Sequence, residues 1–242
     1  SQQWAVPAVL RRLRADVYHS PYYFMPFRTP CPTVVTFYDI IPLTMPETYS
    51  VLFRTIYRAA HQLAAAAANR IIAISRVTAA DLVRIGLPER KIIAIPLGVG
   101  REFRPRSDRE IETVRQRYDL PERFALYVGT NKPHKNLPRL IEAWASLSVK
   151  LPGSDVRPWT LVAAGHEDPR YPRVTDLAAA NGIPVEARES IAHRGGNSER
   201  FSLLAIGAVP EAHLPALYSA ASLFIFPSLY EGFGLPVLEA MA

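Results

Sequence analysis

Two glutamates, Glu231 and Glu239, stand with seven residues between them in the closing stretch Glu231-Gly-Phe-Gly-Leu-Pro-Val-Leu-Glu-Ala-Met-Ala242. The apolar, strand-like segment 222–228 comes directly before them. Gly232 and Gly234 let a backbone approach an anion closely, and Pro236 suits the first turn of a helix, whose N-terminus adds roughly half a positive charge. The pattern predicts a loop bearing Glu231, a helix bearing Glu239 and a cradle of backbone N–H groups between them. Carboxylates accept hydrogen bonds from sugar hydroxyls, while N–H groups and a nearby cation hold a diphosphate. The matching ligand is a nucleotide diphosphate sugar. Alone, this glutamate spacing arises often by chance and describes a solvated helix start equally well.

A second ordered motif, "LYVGTNKPHKNLPRLIEAW" over 126–144, carries Gly129, Lys135 and Asn136. Lys135 falls just before a predicted helix start, with Lys132, His134 and Arg139 close in sequence. A fixed ammonium there stabilises charge developing on a leaving phosphate more than it stabilises the ground state.

These two strings, with Leu217-Tyr218 and Ala220-Ala221 ahead of the glutamate pair, resemble the retaining family 4 glycosyltransferases of GT-B fold. The resemblance is strong after Leu126 and weaker before it. It implies that Lys135 meets the donor diphosphate and that Glu231 touches the donor sugar near its anomeric side, the two catalytic assignments. It implies that Glu239 accepts hydrogen bonds from ribose hydroxyls, and that Phe233, Gly234 and Leu235 offer backbone N–H groups to sugar or diphosphate. Gly129, Thr130 and Asn136 line the donor site in the same reading, and the backbone at Val209 meets the base. Many relatives carry an arginine right after the glycine; Thr130 stands there, so Lys132 or His134 could supply a second cation. In "TFYDI", 36–40, Tyr38 replaces a histidine that many relatives have. With a reference pKa near 10 tyrosine is a poor base at neutral pH, which suits a front-face mechanism in which the leaving phosphate helps take the acceptor proton. Asp39 is either an orienting acceptor or the cap of the following turn. His19 ends a predicted strand as a structural histidine or an acceptor contact.

The activity implied is that of a hexosyltransferase, with mannose among the sugars, moving a hexose from a nucleotide diphosphate sugar to a glycan or lipid-linked acceptor without cofactor or metal. Two other readings stay open: a GT-B nucleotide-sugar epimerase or phosphorylase, and a non-enzymatic basic module binding nucleic acid or membrane. The glutamate pair with Lys135-Asn136 favours transfer, with no nucleic-acid partner.

The formal charge is +6 and the sequence pI about 9.6, which suits phosphate-bearing partners or anionic surfaces. Much of this charge is interspersed, however: between Arg101 and Arg117 six arginines accompany four acids, the pattern of a solvated face. "LRRLR" at 10–14 is denser and the better candidate for peripheral contact with an anionic membrane. Cys31 is the single cysteine, which excludes an internal disulfide and fits a reducing, cytoplasmic setting. The histidines lack ligand-pair spacing, and there is no Asp-x-Asp pair, Walker loop, complete G-x-G-x-x-G or G-x-S-x-G elbow. No apolar run is long enough to cross a bilayer.

Short apolar, β-branched runs at 15–20, 33–39, 70–75, 91–99, 123–129, 159–165, 200–206 and 222–228 alternate with helical patterns at 51–68, 76–85, 137–150, 174–181 and 211–220. This grammar predicts an α/β protein with two Rossmann-like doubly wound domains. Residues 1–104 are expected to form the later part of an acceptor-side domain, 105–121 an interdomain connector with a helix near 109–118, and 122–242 the first part of a donor-nucleotide-sugar-binding domain. Loops are expected at 152–158 and 190–198. Both domains read as incomplete, so the 242-residue polypeptide is expected to be a fragment, inactive in isolation.

Overall fold

The computed structural model describes residues 2–150, 159–186 and 201–242. The loops expected at 152–158 and 190–198 lie outside the described residues. The chain divides into two compact units, Ser1–Gly98 with Tyr230–Gly234, and Val99–Leu229 with Leu235–Ala242.

The first unit runs through helix α1 (Gln2–Leu13), strands β1 (Tyr18–Ser20) and β2 (Thr33–Phe37), the short helix α2 (Ile41–Thr44), helix α3 (Val51–Ala67), strand β3 (Arg70–Ala73), helix α4 (Arg76–Arg84) and strand β4 (Ile92–Ala94). Its strands form a parallel sheet in the order β1-β2-β3-β4. Ser50 and Ser75 cap α3 and α4, accepting from the backbone N–H of Phe53 at 3.2 Å and Thr78 at 2.9 Å. Gly86, at φ +93°, turns the chain out of α4, as its position in the sequence predicts. Val35, Phe37 and Ile71 of the sheet are fully or nearly fully buried with Ala64 and Leu82 of the helices. Lys91 donates from Nζ to the carbonyls of Ala65, Ala66 and Ala68, closing the C-terminal end of α3. Strand β4 is shorter than the predicted 91–99; Pro96 has no N–H to continue a ladder. Helix α1 had no counterpart among the expected elements.

The second unit comprises helix α5 (Asp108–Tyr118), strand β5 (Phe124–Val128), helix α6 (Leu137–Lys150), strand β6 (Thr160–Ala164), helix α7 (Val174–Ala180), strand β7 (Ser202–Gly207), helix α8 (Leu214–Ala220), strand β8 (Leu223–Phe224) and helix α9 (Leu235–Met241). All four strands are parallel, in the order β7-β6-β5-β8. Alternation along β5 serves both faces. Phe124 and Leu126 pack with Val114, Tyr118 and Leu217 on one side, Ala125 and Tyr127 with Ile141, Trp144 and Ala178 on the other. The stretch expected as a connector, 105–121, therefore contributes core to this unit through Val114 and Tyr118 of α5. Arg115 fastens the end of α5, donating to the carbonyls of Pro121, Glu122 and Ala220.

Candidate active site

In the second unit the chain lays down β5, β6 and β7 in one direction, then returns to place β8 on the free side of β5, with Ala125 opposite Leu223 and Leu126 opposite Phe224. Such a reversal opens a crevice at the carboxyl ends of the two strands, where open α/β sheets bind ligands. The loop that leaves β5 contains Gly129, Thr130, Lys135 and Asn136; the loop that leaves β8 contains Phe226 and Pro227. Hydrogen bonds tie them together. Leu229 donates its backbone N–H to the carbonyl of His134 at 2.8 Å, and Asn136 donates from Nδ2 to the carbonyl of Pro227 at 3.1 Å.

Lys135 closes a tight turn, Pro133–Lys135, its N–H bonded to Lys132 O at 2.9 Å. Its ammonium lies 5.7 Å from the centroid of the Phe226 ring. The next residue, Asn136, takes the left-handed conformation at φ 57°, which asparagine tolerates better than most residues, and α6 begins directly after it. A cation and a helix N-terminus thus share one place in the fold, the electrostatic combination that holds a phosphate. Of the two substitutes for the missing arginine, His134 is buried. Lys132 is half-buried and lies close enough to Asp168 to favour its ionised form, although the bonded Arg170 dominates in holding that carboxyl well below the usual range.

Three glycines at the strand ends come almost into backbone contact. Gly129 donates to Ala164 O at 2.9 Å, and Gly165 donates to Gly207 O at 2.8 Å. A Cβ on Gly165, whose φ is +148°, would stand 1.8 Å from Gly129 O. Beside them opens a cavity of about 290 Å³ lined by, among others, Gly129, Asn131, Gly165, His166, Glu167 and Arg173. Thr130 is half-buried, and its carbonyl accepts from the hydroxyl of Tyr127 at 2.7 Å. Asn131, absent from the residues singled out in the sequence, is 7% exposed. Its Nδ2 faces the carbonyls of Asp168, Tyr171 and Pro172 at 3.0, 3.2 and 3.1 Å, and its Oδ1 accepts from Asp168 N at 2.7 Å. Asn131 therefore latches the loop after β5 to the loop after β6. Val209 follows β7 just beyond Gly207 and is partly buried against the core.

Glu239 sits on α9, half-buried, and Tyr218 of α8 donates its hydroxyl to Glu239 Oε2 at 2.8 Å. Burial and this carboxylate together push the Tyr218 phenol up, so it stays a donor. Leu235 is the first residue of α9.

Glu231, Phe233 and Gly234 fall in the segment that belongs with the first unit, all three half-buried, with Gly234 at φ +93°. A Cβ on Gly232 would stand 2.1 Å from Tyr38 O, so glycine is what permits this approach. Tyr38 follows β2 and is 41% exposed. Asp39 accepts from Ile41 N through Oδ1 at 3.0 Å, which realises the turn-cap alternative with that oxygen, while its carbonyl accepts from Tyr57 OH at 3.1 Å. His19 is exposed on β1, its Nε2 2.8 Å from the Thr36 hydroxyl on β2.

Among the described residues no group of three or more His, Cys, Asp or Glu is arranged to hold a metal ion, and no helix is long and apolar enough to cross a membrane.

Two parallel α/β units, the second with a phosphate-suited lysine at its point of strand reversal, define the GT-B class. The chain belongs to the glycosyl transferases group 1: the model of that family matches residues 108–242, and the model of glycosyltransferase family 4 matches residues 1–103. It is 32% identical over 244 aligned positions to the O-antigen chain mannosyltransferase B of Escherichia coli, covering 100% of this chain and 57% of that protein. It is also 32% identical over 219 positions to the serotype-specific mannosyltransferase WbdA of Escherichia coli, covering 88% of this chain and 24% of that protein. The chain thus spans little more than half of the first of these relatives and about a quarter of the second. Among solved structures, Anabaena HepE in complex with UDP and glucose superposes with TM-score 0.67 at 21% identity, covering 98% of this chain and 59% of HepE. The lipopolysaccharide glycosyltransferase WaaG superposes with TM-score 0.65 at 19% identity, covering 98% of this chain and 60% of WaaG.

Proposed function

We propose that the protein is a retaining, metal-independent hexosyltransferase that moves mannose from a nucleotide diphosphate sugar to a glycan or lipid-linked acceptor in polysaccharide synthesis. The observation that carries this reading is the position of Lys135, at the reversal of strand order and one residue ahead of the 14-residue helix α6. The choice of mannose draws on the two mannosyltransferases that align with most or all of the chain, and the choice of a nucleotide donor on the UDP in HepE.

In the reaction, the acceptor hydroxyl attacks the anomeric carbon from the face that the diphosphate leaves. The C–O bond to phosphate breaks as the new glycosidic bond forms, and the departing phosphate oxygen receives the acceptor proton. Lys135 and the N-terminus of α6 neutralise the diphosphate, which supplies the charge stabilisation that a metal provides elsewhere. Glu231 contacts the sugar, and Glu239, aligned by Tyr218, accepts from the ribose. Backbone groups of Gly129, Thr130, Phe233, Gly234 and Leu235 complete the donor contacts, Val209 meets the base, and Asn136 braces the lysine turn. Tyr38 and Asp39 bear on the sugar side. The exposed Arg11 and Arg12 of α1 suit a peripheral station on the cytoplasmic membrane face. Epimerase, phosphorylase and nucleic-acid-binding readings gain no support from the family matches.

A panel of UDP-, GDP- and ADP-sugars, assayed with the intact protein and its Lys135→Ala variant, tests the proposal. Expected is transfer with retained anomeric configuration, unaffected by EDTA, and a loss on substitution of roughly 2 to 4 kcal/mol in kcat/KM. Wild-type-like kcat/KM in a folded variant would reject the role of Lys135.

A further inference from the structure

Glu231 is flanked by two residues that α4 holds. On one side of it, Tyr230 donates its hydroxyl to Asp81 Oδ2 at 2.5 Å. On the other, the hydroxyl of Thr78 lies 3.0 Å from Gly232 O and 3.2 Å from Tyr38 O. Thr78 and Asp81 are three residues apart on one helix, hence on one face, and are 0% and 3% exposed. A carboxylate and a hydroxyl buried this deeply are costly unless hydrogen-bonded, and each finds a partner in the glutamate segment. Arg84, with its side chain 72% exposed, engages the other oxygen of Asp81. Burial and the Asp81 carboxylate push the Tyr230 phenol up, so that it remains a donor at neutral pH. The close approach of Gly232 to Tyr38 O leaves no room for a side chain that could lift this segment away.

We infer that Asp81 and Thr78 are positioning residues for Glu231: they grip the chain immediately before and after it and thereby set the direction of its carboxylate. This rests on the functional reading above, in which Glu231 contacts the donor sugar. A reacting geometry is sensitive to small displacements of such a group, whereas donor affinity, resting mainly on diphosphate and nucleoside contacts, is not. The device therefore acts on kcat more than on KM.

The test is a double-mutant cycle in the intact protein, with Tyr230→Phe, Asp81→Ala and the pair, alongside Asp81→Asn and Thr78→Val. Expected are kcat losses of about tenfold for Tyr230→Phe and for Asp81→Ala, no further loss in the double variant, and a donor KM within about twofold of wild type. Asp81→Asn keeps an acceptor for the tyrosine hydroxyl and is expected to restore most of kcat, which general stabilisation through the Arg84 ion pair would not do. Thr78→Val is expected to lower kcat with a similar KM. Melting temperatures well above the assay temperature guard against a loss through unfolding. Wild-type transfer together with unchanged kcat in Tyr230→Phe and Thr78→Val overturns the inference alone, as does full additivity in the cycle. A wild-type protein that transfers sugar from no donor in the panel removes the functional reading and the inference with it.

Discussion

The hydroxyl of Tyr218 donates to Glu239 Oε2 at 2.8 Å, joining α8 to α9. That bond fixes one oxygen of the carboxylate. Tyr218→Phe removes the donor while keeping the ring that packs against Phe103 and Phe224. The expected result is donor binding weaker by about five- to tenfold, the worth of roughly 1 to 1.5 kcal/mol for one such bond, with little change in kcat. Calorimetric titration of nucleoside diphosphate into wild type and variant checks this, and equal affinities would refute the orienting role.

Gly165 is the tightest backbone contact at the strand ends. In Gly165→Ala the new methyl would meet Gly129 O at 1.8 Å and the residue would be held at φ +148°, a conformation that L side chains rarely adopt. Backbone strain and overpacking combine to an expected destabilisation of roughly 3 kcal/mol or more. Because Gly129 would be displaced, nucleotide affinity is expected to fall as well. Urea unfolding and nucleotide titration of the variant measure the two effects.

The architecture was legible in the sequence because sheets covered on both faces demand continuous apolar strands; β5 and β6, at 124–128 and 160–164, fall where "RFALYVG" and "WTLVAAG" predict them. The short edge strands β1, β4 and β8 were read too long, as 15–20, 91–99 and 222–228. Strand β8 ends at Phe224, although Ile225 still donates to Leu126 O at 2.8 Å. Helix α1 was missed because its tryptophan, arginines and internal Pro7 give no clear apolar stripe. Among the candidate residues, spacing marked those that bear charge, Lys135, Glu231 and Glu239. It could not mark those that hold them, because such contacts join distant positions. Asn131 meets a loop 37 residues away, and Tyr230 meets Asp81 across 149 residues. Gly165 carried a usable signal, since "WTLVAAG" ends in glycine just as "LYVG" does.

The Asn131 latch yields a stability prediction separable from catalysis. Asn131→Ala strips a partner from Asp168 N and from carbonyls of Asp168, Tyr171 and Pro172 in a nearly buried setting. The expected cost is roughly 2 to 3 kcal/mol, the desolvation penalty of polar groups left unmade rather than the net value of one bond. Asn131→Asp keeps the acceptor for Asp168 N but loses the Nδ2 donor, so it is expected to be no better. Denaturant midpoints of the three proteins decide, and a midpoint for Asn131→Ala equal to wild type would show that the loop needs no latch.

His61 makes the stability of the first unit sensitive to pH. It is 0% exposed, its ring lying against those of Tyr23, Phe37 and Tyr57 at centroid distances of 4.2, 4.8 and 4.1 Å. Its Nδ1 is 2.9 Å from Tyr57 O, which accepts and so keeps the proton on that nitrogen. Its Nε2 has no hydrogen-bond partner among the described residues, so protonation would bury a charge with an unmet donor. Burial accordingly lowers the imidazole from 6.5 to about 4, against a smaller opposing effect of the Tyr57 carbonyl. Between these two values the unfolded chain binds a proton that the folded one refuses. Stability is therefore complete above about pH 6.5 and declines as the pH falls toward 4. The full decline attributable to this group is on the order of 3 kcal/mol. His61→Phe keeps an aromatic ring in the cluster and cannot titrate, so its urea midpoint is expected to vary less than that of wild type between pH 7 and pH 4. Equal slopes in the two proteins would assign the acid sensitivity to other groups.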